Sequence, residues 1–346
     1  MSTYDAFIPV NILTGFLGSG KTTLLGQLLR SPELRDTAVL VNEFGEVGLD
    51  HHLLEQVDEE TVLLNSGCLC CTIRGDLNTA LRGLFSRRER GEIPPFRRVV
   101  VETTGLADPV PIAFTLLSEP VLQHHFRLGN IVTTLDAVNL AGQLATYPES
   151  RKQAAVADRL VLTKTDLVEA GALAGLRARI REVNRSAPLL LAQDGPPDPR
   201  TLLMHDLYSD EGKLAELNHL MAQLEGEGGD AAHAHAPNVH DGPSGGAGGI
   251  HTFALTYARP LDWTRFGIWL TLLLHTHGEK VLRVKGILNV DGLKAPVAIH
   301  GVQHLVHPPT HMLRWPSGER HSRIVFIVHG LPREAIEHSL RTFMEL

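Results

Sequence analysis

Short apolar runs recur through the first two hundred residues: "VNILTG", "TAVLVNE", "TVLLN", "RRVVVET", "NIVTTLD", "DRLVLTK" and "APLLLA". Runs this short, rich in Val, Ile, Leu and Thr and without polar alternation, read as strands buried on both faces. Between several of them lie stretches with helical spacing, "KTTLLGQLLR", "DLNTALRGLFSRRER" and "AGALAGLRARIREVN". Strand alternating with helix predicts an α/β domain with a mostly parallel sheet covered by helices. The pattern breaks at residue 226, where "GEGGDAAHAHAPNVHDGPSGGAGG" carries no apolar periodicity and reads as a flexible linker. Beyond it, "IHTFALTY", "LDWTRFGIWLTLLLHTHG", "KVLRVKGILNV", "APVAIHGVQHLV", "RHSRIVFIVHG" and "REAIEHSLRTFMEL" follow a β-α-β-β-β-α order, predicting a smaller α+β domain. The expected organisation is therefore a first domain over 1–225, a linker over 226–249 and a second domain over 250–346.

Composition narrows the function. With 32 basic against 39 acidic residues the net charge is −7, which argues against a nucleic-acid partner. No apolar run approaches the roughly 20 residues of a membrane helix, so no membrane partner is expected. The start "MSTYDAFIPV" lacks the basic and apolar regions of a signal peptide, so a cytoplasmic location with reduced thiols is expected. Against that background all three cysteines, Cys68, Cys70 and Cys71, fall within "SGCLCCTIRGDL". Neighbours this close make poor disulfides; clustered thiols in a reducing compartment read as metal ligands or redox groups, the plain alternative being three small buried hydrophobes.

The first run leads straight into "GFLGSGKTT", where Gly15, Gly20, Lys21 and Thr22 satisfy G-x-x-x-x-G-K-[ST]. Glycines let backbone N–H groups curl around phosphate oxygens, the following helix adds its positive end, Lys21 neutralises the outer phosphates and Thr22 offers a hydroxyl to Mg²⁺. "RRVVVETTGLADP" places Glu102 at the end of another strand, as a candidate for the Mg²⁺ side, with Gly105 three residues on, where a switch approaches the γ-phosphate. "RLVLTKTDLV" places Lys164 and Asp166 where GTPases carry N-K-x-D: the Asp accepts from the guanine ring N–H and amine, and the Lys packs over the base. Thr163 replaces the Asn and removes one hydrogen bond. The acidic stretch "VNEFGEVGLDHHLL", with Glu43, Glu46 and Asp50, sits where a nucleotide-sensing switch would fall.

In order, "GFLGSGKTT", "NEFG", "GCLCC", "ETTGLADP", "TKTD" and the C-terminal "HGVQHLV" resemble the CobW-type family of P-loop GTPases, over nearly the whole chain. The resemblance implies a P-loop NTPase domain with a CobW-type C-terminal domain. It implies a GTP-hydrolysing metallochaperone that binds a transition metal at Cys-x-Cys-Cys and passes it to a client metalloprotein. By that resemblance Gly15, Phe16, Leu17, Gly18, Ser19, Gly20, Lys21, Thr22 and Thr23 hold GTP phosphates and Mg²⁺; Thr163, Lys164 and Asp166 hold guanine. Lys21, Glu43 and Glu102 are the catalytic candidates, Thr22 and Glu102 the Mg²⁺ ligands, and Cys68, Cys70 and Cys71 the transition-metal ligands. Thiolates favour Zn²⁺ or Co²⁺ over Mg²⁺, and three of them leave a coordination position open for release. Zinc is the favoured cargo. The alternatives are a cobalt chaperone for cobalamin synthesis, an activator of another metalloenzyme such as a nitrile hydratase, a P-loop small-molecule kinase, or a passive metal buffer.

Of 19 histidines, 13 follow residue 230. His233, His235 and His240 fall in the linker and read either as metal-gathering or as solvated. His275 and His277 close a helical segment. His300 and His304 match the family's C-terminal pattern and carry no metal assignment.

Overall fold

A computed structural model of the chain describes residues 7–41, 54–58, 61–64, 69–72, 77–193, 195–206, 212, 249–312, 314–315 and 320–345, with the backbone alone described for 54–58, 61–64 and 69–72. Glu43, Glu46, Asp50, Cys68, His233, His235 and His240 lie outside the described residues, as does the predicted linker up to Gly249. The chain forms two compact units, Met1–Arg179 with Ala187–Gly212, and Ile180–Ser186 with Lys213–Leu346. Among the described residues no helix is long and apolar enough to cross a membrane.

The first unit carries β1 (Ile8–Gly15), α1 (Lys21–Leu28), β2 (Thr37–Val41), β3 (Leu54–Asp58), β4 (Thr61–Leu64), β5 (Leu69–Thr72), α2 (Leu77–Glu89), β6 (Arg98–Glu102), α3 (Val110–Ser118), α4 (Pro120–Gln123) and β7 (Phe126–Asp136). It continues with α5 (Leu140–Thr146), α6 (Pro148–Val156), β8 (Arg159–Thr163), α7 (Ala172–Val183, counted with this unit as far as Arg179), β9 (Leu189–Leu191) and α8 (Pro199–Leu203). Its strands form a 9-stranded sheet in the order β3-β4-β5-β2-β6-β1-β7-β8-β9. From β5 through β9 in that order neighbouring strands run parallel. The α/β expectation therefore holds, and the reason is visible in burial: β2 is buried at every position, and β1 and β6 at all but one each. Strands covered on both faces need no polar alternation. Helix α1 lays Leu24, Leu25 and Leu28 against Leu13, Val39, Val100 and Val132. Each such leucine contributes roughly 2 kcal/mol by leaving water.

Two details differ from the sequence expectation. "TVLLN" forms β4, but it pairs antiparallel with β3 and with β5, so this edge of the sheet is mixed. Leu69–Thr72 of the cysteine segment is strand β5, whose Leu-Cys-Cys-Thr lacks the run of aliphatic residues that marks a strand in the sequence.

The second unit carries β10 (Ile250–Tyr257), α9 (Trp263–His277), β11 (Val281–Leu288), β12 (Val297–Val302), β13 (Leu305–Val306), β14 (Thr310–His311), β15 (Ser322–His329) and α10 (Arg333–Met344). They form a 6-stranded antiparallel sheet with β14 paired to β12. Asp262 starts α9 by accepting from Arg265 N–H at 2.7 Å. Phe266, Trp269, Leu270 and Leu273 of α9 and Ile336, Leu340 and Met344 of α10 share one core with Leu255, Val284 and Phe326. The single run "APVAIHGVQHLV" is in fact β12 and β13, folded back on each other through Gln303, whose φ is 52°. The same turn sets His304 against the end of α9. Its Nδ1–H donates to Leu274 O at 2.8 Å, satisfying a terminal carbonyl. A Cβ on Gly278 would stand 2.2 Å from that nitrogen, so this closure needs glycine there. His304 is thus engaged as a helix cap.

Candidate functional site

The site is assembled where β1, β6, β7 and β8 end. Gly15 closes β1 at φ 147°, and a Cβ there would fall 2.2 Å from Thr134 Oγ1 and 2.7 Å from Ser19 Oγ. Gly18 (φ 69°) and Gly20 (φ 86°) take left-handed backbone that side chains resist, which curls the loop between β1 and α1. Ser19 N–H donates to Phe16 O at 3.1 Å across the loop, and Leu24 N–H donates to Gly20 O at 2.9 Å to begin the helix.

A rack of short hydroxyl side chains fixes the loop from below. Ser19 Oγ and Thr134 Oγ1 share a hydrogen bond of 2.7 Å, and Thr134 Oγ1 donates to Thr14 O at 3.3 Å. Thr103 Oγ1 donates to Thr14 Oγ1 at 2.9 Å. Thr163 Oγ1 donates to Ser19 O at 2.8 Å and lies 3.1 Å from Leu135 O. Thr163, which stands where the base-reading motif has Asn, therefore ties the start of that motif directly to the loop. Thr14, Thr103, Thr134 and Ser19 are all essentially buried, so each bond is made in a medium of low dielectric.

Lys21 is only 7% exposed, and its ammonium donates to Gly15 O at 3.0 Å and to Phe16 O at 3.3 Å. The cation thus lies back across the loop it belongs to. Thr22 Oγ1 donates to Glu102 Oε1 at 2.6 Å, and Glu102 is 2% exposed. The structure brings these two oxygen donors, predicted as a pair, together. Phe16 is buried against the Tyr147 ring at 4.6 Å, Leu17 is 51% exposed and Thr23 is exposed.

Lys164 opens a short turn over Thr165–Leu167 with φ 55°, a left-handed backbone in a residue with a side chain. Its ammonium lies 2.8 Å from Asp136 Oδ2, at the buried end of β7. Asp136 also accepts from Val138 N–H on Oδ1 and Asn139 Nδ2 on Oδ2, both at 2.9 Å. Burial alone would raise this carboxyl. The hydrogen bonds from Lys164, Asn139 and Val138, with the Lys164 charge, outweigh it and hold Asp136 below the usual carboxylate range. Asp166 is exposed at the rim of the same turn. Sequence reasoning missed Asp136; the available signal was an acid at the carboxyl end of a buried parallel strand, where such sheets collect ligand-binding groups.

Cys70 and Cys71 belong to β5. The register aligns Cys71 with Leu40 of β2 and Leu40 with Val101 of β6, and the next row aligns Thr72, Val41 and Glu102. Two interstrand spacings, about 10 Å, therefore separate the backbone of the cysteine strand from that of Glu102. Among the described residues no group of three or more His, Cys, Asp or Glu side chains gathers as a metal site.

The profile of the CobW/HypB/UreG nucleotide-binding domain matches residues 9–191, and that of the cobalamin synthesis protein CobW C-terminal domain matches 250–344. The chain is 33% identical over 329 residues to the zinc chaperone YjiA of Escherichia coli, covering 95% of this chain and 96% of that protein. It is 32% identical over 317 residues to the zinc-regulated GTPase metalloprotein activator 1 of Schizosaccharomyces pombe, covering 84% of this chain and 74% of that protein. The crystal structure of the Zn(II)-bound YjiA GTPase from E. coli superposes with a TM-score of 0.74 at 30% identity, covering 97% of this chain and 99% of that one.

Proposed function

The chain belongs to the CobW/HypB/UreG family, and from that premise we propose that it is a GTPase that carries zinc, coupling nucleotide turnover to delivery of the ion to a client metalloprotein. The observation that supports this most directly is the sheet register. The strand bearing Cys70 and Cys71 lies one strand from β6, whose last residue, Glu102, is hydrogen-bonded to Thr22 of the phosphate loop. Within the sheet, β2 is the one strand between Glu102 and the thiol segment, so a change at Glu102 on nucleotide binding has a short path to it. Zinc as the cargo follows from the names of the relatives and from the preference of thiolates for it.

Gly15 through Thr23 are assigned to the phosphates, with Lys21 releasing its two carbonyl partners to take up the β- and γ-oxygens. Thr22 and Glu102 are hard oxygen donors already side by side and would hold Mg²⁺, which supplies positive charge against the phosphates. Thr163, Lys164 and Asp166 are assigned to guanine, Cys68, Cys70 and Cys71 to the transferred ion, and Glu43 to the switch. The GTPase half is assigned to 1–225, the linker to 226–249 and the C-terminal domain to 250–346.

The test is a titration of Zn²⁺ and Co²⁺ against a competing chelator, with Mg²⁺–GTP, with GDP and without nucleotide, following the cobalt–thiolate absorption. Coupling predicts metal affinity that depends on the nucleotide, and by linkage an equal dependence of nucleotide affinity on metal. Identical metal affinity in all three conditions would sink the proposal.

Asp136→Asn is expected to weaken GTP and GDP binding equally, by roughly tenfold, because Lys164 loses the charge that holds it beside the base. Fluorescent-nucleotide titration checks this, and a loss confined to GTP would contradict it. The sign in acid also follows. A carboxyl depressed by folding stabilises the fold above its unfolded value and loses that contribution as pH falls through the folded one. The variant should therefore show a shallower loss of stability than the parent below about pH 4.

A further inference from the structure

The segment after β6, Thr103 to Pro109, is held between two other parts of the first unit. On one side Gly105 lies directly on the phosphate loop: a Cβ there would meet Leu17 Cδ2 at 2.6 Å, Leu17 N at 2.7 Å and Leu17 Cα at 2.8 Å. On the other side stands Gln153 of α6, 1% exposed. Its Nε2 donates to Gly105 O at 3.2 Å and to Ala107 O at 2.9 Å. Gln153 is itself anchored, since its backbone carbonyl accepts from Thr133 Oγ1 at 2.9 Å on β7. The neighbouring Lys152 adds an outer tie, with Nζ 2.6 Å from Asp108 Oδ2. None of these bonds uses the Gly105 N–H. One buried carboxamide therefore sets two carbonyls of a segment that begins next to Glu102.

A buried side-chain amide is a costly choice for mere space filling, since a leucine of similar size would fill the volume without desolvating polar atoms. Here the cost is plain, because Gln153 Oε1 is buried with no hydrogen-bond partner. The residues that follow it in α6, Ala154, Ala155 and Val156, are apolar and buried. What the amide does fix is the far side of a tight turn: it holds Gly105 O and Ala107 O, while Ala107 N–H donates to Thr104 O at 3.1 Å, the carbonyl that shares its peptide plane with the Gly105 N–H, so the turn that aims this N–H is pinned through its last residue.

The geometry points to Gln153 as a positioning residue for GTP hydrolysis, one that orients the Gly105 backbone toward the terminal phosphate. The assignment rests on the nucleotide reading above. It makes a specific distinction between nucleotides. GDP lacks the γ-phosphate, so a residue that acts through Gly105 matters little to it and matters strongly to GTP. The orphaned Oε1 fits the same role, because it can accept an N–H from the segment when Gly105 shifts onto phosphate, with the amide as a fixed pivot.

The experiment compares the parent chain with Gln153→Leu, using a non-hydrolysable GTP analogue and GDP as probes, together with steady-state GTP turnover and hydrogen exchange of the segment 103–109. Loss of two buried hydrogen bonds is expected to weaken the analogue about tenfold and to lower kcat by at least as much, with GDP affinity changed less than about twofold. Exchange in 103–109 should quicken. Equal retention of both nucleotides and of kcat, with only a lower melting temperature, would make Gln153 structural and overturn the assignment. A parallel loss for GDP would overturn it too, by placing the effect on the whole loop. If Gln153→Leu does not fold, Gln153→Asn decides: it keeps the amide but is one methylene too short to reach both carbonyls, so unchanged analogue affinity in it overturns the assignment. If the parent chain binds neither nucleotide, the nucleotide reading itself falls and this assignment with it; failure of the variant alone leaves that reading standing.

Discussion

Lys21→Ala is expected to reduce GTP turnover by about a thousandfold or more while leaving the chain folded. In the structure Lys21 is buried and its ammonium donates to two carbonyls of its own loop. A carbonyl oxygen carries only a partial charge, so a phosphate oxygen adds a full Coulomb attraction to the ammonium that these carbonyls do not supply. The advantage grows in the transition state, where negative charge gathers on the oxygens Lys21 would face inside a site shielded from water. Folding is spared for a different reason. The loop's shape is set by Gly15, Gly18 and Gly20 and by the hydroxyl rack beneath, not by Lys21. The variant leaves Gly15 O and Phe16 O without this donor, a loss of roughly 1–2 kcal/mol, small against the stability of a domain. Circular dichroism should therefore show the parent fold, while phosphate release falls to background. Turnover within tenfold of the parent would remove Lys21, and the loop with it, from the chemistry. Lys21→Arg should behave nearly as Ala does, because a planar guanidinium does not fit a slot that holds a point charge against two carbonyls.

What could be read from the sequence was whatever is local in the chain. The phosphate loop is one contiguous run, so its glycines, Lys21 and Thr22 declare themselves together. The central strands do so because double burial leaves an unbroken apolar run, as in β2, buried at every position. The parts that sequence reasoning missed are held by partners far apart in the chain. Ser19 meets Thr134 across 115 positions and Thr163 across 144. Single threonines in apolar strands look like ordinary β-branched fillers until the sheet order puts them in one plane. Asp136 and Gln153 were missed for the same reason, since each matters through partners distant in the chain, Lys164 for one and Gly105 with Ala107 for the other. Thr163 is the instructive case. As a departure from Asn it reads as one fewer hydrogen bond near the base, yet its hydroxyl fastens the base-reading strand to the phosphate loop. The helices α3, α4 and α6 went unread because prolines at their starts break the apolar spacing into pieces. The cysteine strand β5, Leu-Cys-Cys-Thr, holds a single aliphatic residue, so it lacks the apolar run that marked β4 at the same length.

Cys70→Ser is expected to weaken Zn²⁺ binding by about a hundredfold or more and to leave GTP turnover in the absence of metal unchanged. The size follows from the chemistry of the ligand. Structural zinc sites bind with about 10–16 kcal/mol, so one thiolate of four ligands accounts for roughly 3 kcal/mol. A serine hydroxyl is a hard, protonated oxygen at neutral pH and recovers little of that. The independence from turnover follows from the fold, because in the sheet β2 and β6 stand between β5 and β1, the strand that leads into the phosphate loop. Backbone hydrogen bonds carry that ladder, and a change of one sulfur to oxygen leaves them intact. What the variant should lose is the link between the two events. Zinc should alter GTP affinity in the parent and have no effect in the variant, with the cobalt–thiolate band reduced in parallel. Reciprocity makes this a closed test, since a parent in which GTP shifts zinc affinity must show zinc shifting GTP affinity by the same factor. If Cys70→Ser leaves both metal affinity and the thiolate band untouched, the ion is held elsewhere, and the short path through β2 couples nothing.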